Sequence, residues 1–179
     1  MNIPNFLSLL RILLVPLIVI FLMENAFVKA FVVLLISSIT DALDGFLARV
    51  LNQQTKLGAY MDPIADKTLL ASCFITLSIK GIMPDWLTVI VISRDFIILI
   101  GVLVLSIMST PFEIRPAFIS KVTTAMQLIT VLLTLLFRLL PGLFDYRLML
   151  LLYWLTAFFT IVSGLYYIFG KIRLSNTEI

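Results

Sequence analysis

Long apolar segments alternate with short polar ones along almost the whole chain. A helix of about 20 residues crosses the roughly 30 Å hydrocarbon layer of a membrane, and each apolar segment is long enough to do so. Because the connections are short, consecutive segments are expected to be antiparallel neighbours. The pattern predicts an all-α integral membrane protein, a bundle of six transmembrane helices with short loops, in a single domain over residues 1–179. The predicted segments lie near residues 6–23, 27–51, 59–80, 84–108, 118–139 and 146–170.

The composition supports a membrane protein, because 61% of the residues are hydrophobic and only 13% are charged. A soluble core of 179 residues could not enclose that much apolar surface. The net charge is +3, and the cations are scattered between the apolar segments rather than clustered. Membrane lipids with anionic headgroups are therefore the expected partners, and nucleic acid is not.

The distribution of lysine and arginine predicts the orientation of the chain. Six crossings put both termini on one side, and that side has a modest excess of cations, which favours the cytoplasm. The sequence therefore predicts a multi-pass protein of the cytoplasmic (inner) membrane, with its acidic segment facing the cytoplasm. The cations of the opposite loops are Lys29, Lys80, Arg138 and Arg147.

That acidic segment, DALDGFLARVLNQQTKLGAYMDPIAD, concentrates four aspartates in a chain with few charges. Asp41 and Asp44 are three positions apart, and Asp62 and Asp66 are four apart. Each pair therefore lies on one face of a helix. The polar stretch NQQTK between the pairs predicts a turn that brings the two helices face to face.

Four carboxylates at close range repel one another unless cations lie between them. The chain has no histidine, so any metal must be held by oxygen. Carboxylates suit Mg²⁺, with Mn²⁺ as a substitute, and four carboxylates match the needs of two ions in phosphoryl chemistry. Small residues at Gly45, Ala48 and Gly58 would let a ligand lie against helix backbone. Arg49 offers a planar cation for a phosphate or a nucleobase edge.

Two other interpretations of the aspartates remain open. They could be solvated charges at the membrane surface, although acids in membrane segments generally mark function. They could also line an ion or proton path, as in a transporter. The acids lie toward the ends of two adjacent segments, however, and no second half of the chain mirrors them as transporter repeats would.

The motif resembles the complete signature of the CDP-alcohol phosphatidyltransferases, with eight fixed positions over 26 residues. The resemblance implies a six-helix membrane bundle, often a homodimer, in which the hydroxyl of an acceptor attacks CDP-diacylglycerol and CMP leaves. It also implies that Asp41, Asp44 and Asp62 bind two divalent ions, and that Asp66 is the general base and shares in metal binding. The residues implied in CDP binding are Gly45, Ala48, Arg49, Gly58, Asn5 and Ser8.

Other stretches bear on the acceptor. NIPNFLSLLRILLVP and VISRDFIILIGVL resemble phosphatidylglycerophosphate synthases, which use glycerol 3-phosphate, whereas RPAFISKVTTAMQL resembles the cardiolipin synthases of the same family, which use phosphatidylglycerol. Val102 stands where the former carry a second arginine. A doubly charged phosphate suits a cationic pocket. The predicted acceptor is glycerol 3-phosphate, with phosphatidylglycerol as a nearly equal alternative. The acceptor-binding residues are predicted to be Arg94, Arg115, Lys121 and Arg11.

Overall fold

The computed structural model describes the backbone of residues 3–50, 56–107, 118–142 and 145–175, and the side chains of residues 11–40, 65–101, 118–142 and 145–167. Within these ranges the chain forms helices and no strand, so the all-α prediction is confirmed. The helices are α1 (Ile3–Met23), α2 (Phe27–Val50), α3 (Lys56–Ile79), α4 (Asp85–Ile107), α5 (Phe118–Leu139) and α6 (Tyr146–Ser175).

The helices coincide closely with the six predicted segments, because backbone amides and carbonyls that leave water must be hydrogen-bonded, and a continuous helix bonds them within one segment. The largest difference is at the end of α6, which continues beyond the apolar run to Ser175. Two helices in the described part of the chain, Phe118–Leu139 and Tyr146–Tyr167, are long and apolar enough to cross a membrane. They support a membrane protein, and the six crossings stay a prediction.

The chain divides into two compact units, and the division falls within α5. The first unit comprises Met1–Met83 and Val131–Phe144, and the second comprises Pro84–Thr130 and Asp145–Ile179. That residues 1–179 act as one domain stays a prediction.

In the first unit, α1 packs against both α2 and α3. The core side chains that result are fully or almost fully buried, and include Ile18, Leu22, Leu34 and Phe74. The turn after α1 is closed by backbone hydrogen bonds, including one of 2.8 Å from the Ala26 amide to the Phe21 carbonyl. This packing places α3 beside α1, which matters for the candidate site.

In the second unit, α4 packs against α6, and buried polar side chains join α5 to α6. The Thr130 and Thr156 hydroxyls are 2.6 Å apart, and Thr123 donates to the Phe159 carbonyl at 3.1 Å. Gln127, which is also buried, donates to Thr160 at 3.4 Å. Hydrogen bonds between small polar residues are a common way to associate helices in a membrane.

Candidate functional site

Asp66, on α3, accepts a hydrogen bond and ion pair from Arg11 on α1. The Arg11 side chain is 6% exposed and the Asp66 side chain is 35% exposed. The contact joins a predicted general base to a residue predicted to bind the acceptor. The sequence analysis singled out both residues but did not predict that they touch.

The pairing has a plain physical cause. Arg11 lies on the buried face of α1 together with Val15 and Ile18, and a guanidinium taken out of water needs an acidic partner. Asp66 follows the fully buried Ala65, so the packing of α3 against α1 brings its carboxylate to that partner. One end of the first unit therefore holds a fixed carboxylate that remains partly accessible.

The backbone also supports the two halves of the aspartate motif. The first pair of aspartates lies in α2, which ends at Val50, and the second pair lies in α3, which begins at Lys56. The helical spacing assumed for each pair is therefore confirmed, whereas the facing of the two pairs stays a prediction. Most of the predicted site residues lie outside the part of the chain whose side chains and surroundings are described. These residues are Asp41, Asp44, Asp62, Gly45, Ala48, Arg49, Gly58, Asn5, Ser8 and Arg115.

The predicted metal site stays a prediction, because Asp66 is the one motif aspartate whose side chain is among the described residues. The described side chains contain no group of three or more acidic, histidine or cysteine residues that could hold a metal ion. The side chains of the other three motif aspartates lie outside the described residues. Asp66 itself presents carboxylate oxygens, the donor type that hard divalent cations prefer. The described part of the motif therefore fits such an ion in its donor chemistry.

Arg94, on α4, is the centre of a polar cluster in the second unit, and only 4% of it is exposed. Its Nη1 donates to Asp95 at 2.7 Å, and its Nη2 donates to Ser120 and to Ser163, each at 2.7 Å. The Nε atom is buried and has no hydrogen-bond partner among the described residues. The guanidinium is thus held by α4, α5 and α6, while its buried Nε–H is not paired within the described part of the chain.

The sequence analysis missed Ser120 and Ser163 of this cluster, and the adjoining Gly164. Ser163 and Gly164 are small residues in an apolar helix, and a Cβ built on Gly164 would lie 3.5 Å from the Arg94 Cγ. Small residues at such a place let a neighbouring helix or side chain approach closely. The adjacent small residues are visible in the sequence, but only the fold shows that the Arg94 side chain packs against them.

The predicted acceptor-binding cations are divided between the two units. Arg94 and Lys121 belong to the second unit, Lys121 is exposed, and Arg11 belongs to the first unit. Arg115 lies outside the described residues. Their convergence on one acceptor pocket stays a prediction.

Comparison with known sequences decides the family. A sequence model of the CDP-alcohol phosphatidyltransferases matches residues 1–162, which include the whole aspartate motif, Arg11 and Arg94. The chain belongs to the CDP-alcohol phosphatidyltransferase family. The resemblance inferred from the motif is therefore confirmed.

Relatives within the CDP-alcohol phosphatidyltransferase family include proteins named as cardiolipin synthases and proteins named as glycerol-3-phosphate phosphatidyltransferases. The chain is 37% identical to a rat cardiolipin synthase (CMP-forming) over 73% of its length, and 34% identical to the human one over 95%. It is 32% identical to a Bacillus subtilis CDP-diacylglycerol–glycerol-3-phosphate 3-phosphatidyltransferase, over 91% of each chain. The matches span 48% of the rat protein and 62% of the human protein.

Proposed function

We propose that this protein is a membrane-bound enzyme of phospholipid biosynthesis, which transfers a phosphatidyl group from CDP-diacylglycerol to a glycerol-based acceptor and releases CMP. The observation that carries the proposal is the partly exposed Asp66 carboxylate, held by the buried Arg11 in a chain of this family. A fixed carboxylate next to an accessible space is what a general base requires.

Asp66 is proposed to take the proton of the acceptor hydroxyl. The acceptor oxygen then bonds to the lipid-side phosphorus, the bond from that phosphorus to the bridging oxygen of CMP breaks, and CMP leaves. The ion pair with Arg11 fixes the orientation of the carboxylate.

Asp41, Asp44, Asp62 and Asp66 would hold two divalent ions, Mg²⁺ or Mn²⁺. When bound, these ions would neutralise the pyrophosphate of CDP-diacylglycerol and the charge that develops on departing CMP. The proposed CDP-binding residues follow from the family motif and its small side chains: Gly45, Ala48, Arg49, Gly58, Asn5 and Ser8.

Glycerol 3-phosphate is our first choice of acceptor, with Arg94, Arg115, Lys121 and Arg11 as the residues that bind it. Phosphatidylglycerol, which would give cardiolipin, is the second, and one observation favours it. Asp95 pairs with Arg94 at 2.7 Å, so the charge of this arginine is already partly balanced. A singly charged phosphodiester needs less cationic compensation than the doubly charged phosphate of glycerol 3-phosphate.

We further propose that the protein is a homodimer in the cytoplasmic membrane, with six crossings and its active site facing the cytoplasm. The distribution of lysine and arginine and the apolar helices support the location and orientation. The dimer is supported by the family resemblance.

The deciding experiment gives purified protein CDP-diacylglycerol and Mg²⁺ with one acceptor at a time and measures CMP release. Glycerol 3-phosphate and phosphatidylglycerol are the test acceptors, and serine and inositol phosphate are the controls. We expect CMP with one or both glycerol-based acceptors and none with the controls. Release of no CMP from any mixture, together with ion flux across liposomes that contain the protein, would replace this proposal with transport.

A further inference from the structure

Two cations of the first unit lie against a single aromatic ring. Lys80 Nζ is 6.0 Å from the centroid of Phe27, and Arg138 Cζ is 5.8 Å from the same centroid. Nearby in sequence, Lys29 Nζ is 5.7 Å from the centroid of Phe21. Cations are attracted to the face of an aromatic ring. We call Phe27, Lys80 and Arg138 the Phe27 cluster.

Among the described residues, no acid balances the positive charge of the Phe27 cluster. Neither Lys80 nor Arg138 has a carboxylate partner within the described part of the chain, and the exposed Glu24 makes no ion pair there. Lys80 does donate to the Met23 carbonyl at 2.8 Å, which satisfies the negative end of α1. No carbonyl among the described residues accepts a hydrogen bond from Arg138 in the same way. Two like charges near one ring repel each other, and a bound anion would reduce this repulsion.

The Phe27 cluster lies at the opposite end of the first unit from Asp66. Met23 is twelve positions after Arg11, and Lys80 is fourteen positions after Asp66. At ~1.5 Å per helical residue these separations are about 18 and 21 Å, a large part of the roughly 30 Å hydrocarbon layer. If Asp66 serves one membrane surface, the Phe27 cluster lies near the other.

Exposed apolar side chains adjoin the charged ones in sequence. Val28, next to Phe27, is 60% exposed, and Ile79, next to Lys80, is 73% exposed. Met23, whose carbonyl binds Lys80, is also largely exposed. An anion with an apolar body suits such a surface better than a free phosphate does, because the apolar residues would otherwise be left without a partner.

We propose that the Phe27 cluster is a binding site for the phosphodiester of an anionic glycerophospholipid, in the leaflet opposite Asp66. Lys80 and Arg138 bind the phosphate oxygens, and the acyl chains cover the exposed apolar residues. Interfacial cations attract anionic lipids in this way. The site is separate from the aspartate motif, and the inference does not depend on the proposed transfer reaction.

The test measures lipid retention in nanodiscs of phosphatidylcholine that contain increasing fractions of phosphatidylglycerol, with retained lipid counted by native mass spectrometry. We expect the Lys80→Gln, Arg138→Gln double variant to need at least fivefold more phosphatidylglycerol for half-saturation than the unaltered protein, and to retain about one molecule fewer per chain. The comparison between the two proteins cancels any phosphatidylglycerol held at the active site.

Matched variants separate this site from general surface charge and from misfolding. Arg147→Gln, which removes an exposed arginine at the start of α6, should leave retention unchanged, and the charge-preserving Lys80→Arg, Arg138→Lys variant should retain lipid within about twofold. Equal retention by the neutral double variant and the unaltered protein would overturn the proposal. So would an equal loss in Arg147→Gln, or displacement of the lipid by millimolar inorganic phosphate.

Discussion

For Asp66, the sequence predicted a functional role but not the residue that it contacts. Its place in a spaced motif predicted a functional carboxylate, because acids in membrane helices are costly and helical spacing is a local property. The partner Arg11 lies 55 positions away, and only the packing of α1 on α3 brings it there. The same holds for Ser163, which becomes visible as a partner of Arg94 only after α4 and α6 have packed.

We expect Asp66→Asn to lower kcat at least ~100-fold, the usual contribution of a general base, while binding of CDP-diacylglycerol changes little. Single-turnover CMP release and equilibrium binding of the labelled lipid provide the two measurements. Because the substitution removes the charge of the carboxylate that pairs with the buried Arg11, thermal stability should be measured alongside. A variant with normal stability and undiminished kcat would remove Asp66 from the role of base.

Asp44→Asn should act differently, because a metal ligand affects ion affinity as well as rate. We expect the Mg²⁺ concentration for half-maximal activity to rise roughly 10- to 100-fold. Loss of a residue that only hydrogen-bonds to a metal ligand already weakens metal affinity by that factor. A Mg²⁺ titration of CMP release measures this change. The ligand assignment of Asp44 fails if the titration curve of the variant keeps the midpoint of the unaltered protein.

Ser163→Ala tests whether the orientation of Arg94 matters for the acceptor. Loss of one hydrogen bond worth about 1 kcal/mol should raise the KM for the acceptor about fivefold and leave the KM for CDP-diacylglycerol unchanged. Ser37→Ala is a suitable control, because Ser37 is buried and its hydroxyl has no partner among the described residues. Ser163→Thr, which keeps a hydroxyl, should restore much of the acceptor affinity. An unchanged acceptor KM in Ser163→Ala would confine Arg94 to a structural role.

At the scale of helices, the apolar pattern was sufficient to predict six elements and nearly all of their ends. Hydropathy is a property of consecutive residues, so it locates helices without knowledge of their neighbours. It could not show that α5 would divide between two compact units. That division depends on which neighbour each half of α5 contacts.

The Thr130–Thr156 contact offers a test of how α5 and α6 are held together. We expect Thr130→Val to lower the free energy of unfolding by about 0.6 kcal/mol, the average measured for hydrogen bonds between membrane helices, and by no more than about 1.7 kcal/mol, the largest value. Equilibrium unfolding in mixed micelles measures the loss. Thr124→Val is the control, since Thr124 donates to the carbonyl of Ser120 in its own helix. Combining Thr130→Val with Thr156→Val should cost less than the sum of the single losses, and strict additivity would show that the two hydroxyls do not act as a pair.

For the whole molecule, the sequence predicted an all-helical membrane protein and its family, because both rest on patterns within short stretches. The acceptor was not settled, since it depends on how cations from distant segments converge. Asp95 shows the difficulty, because the carboxylate that partly balances Arg94 is its immediate neighbour, and only its side-chain conformation reveals the pairing.

The orientation in the membrane can be tested with the single cysteine of the chain. Cys73 is buried, so the unaltered protein should react slowly with a membrane-impermeant maleimide. Gln53→Cys and Lys29→Cys should then be labelled from opposite sides of sealed vesicles, because an odd number of crossings separates them in the proposed topology. Labelling of both variants from the same side would contradict the six crossings.

The buried threonines of α5 and α6 also have a consequence for how the protein is made. Thr130 and Thr156 each lie within 2.8 Å of the carbonyl four residues earlier in their own helix, as well as 2.6 Å from each other. A hydroxyl has one proton, so both cannot donate to their own helix while they bind each other. During synthesis each helix can therefore leave the translocon with its hydroxyl satisfied, and one proton changes acceptor only when the two helices later meet in the bilayer.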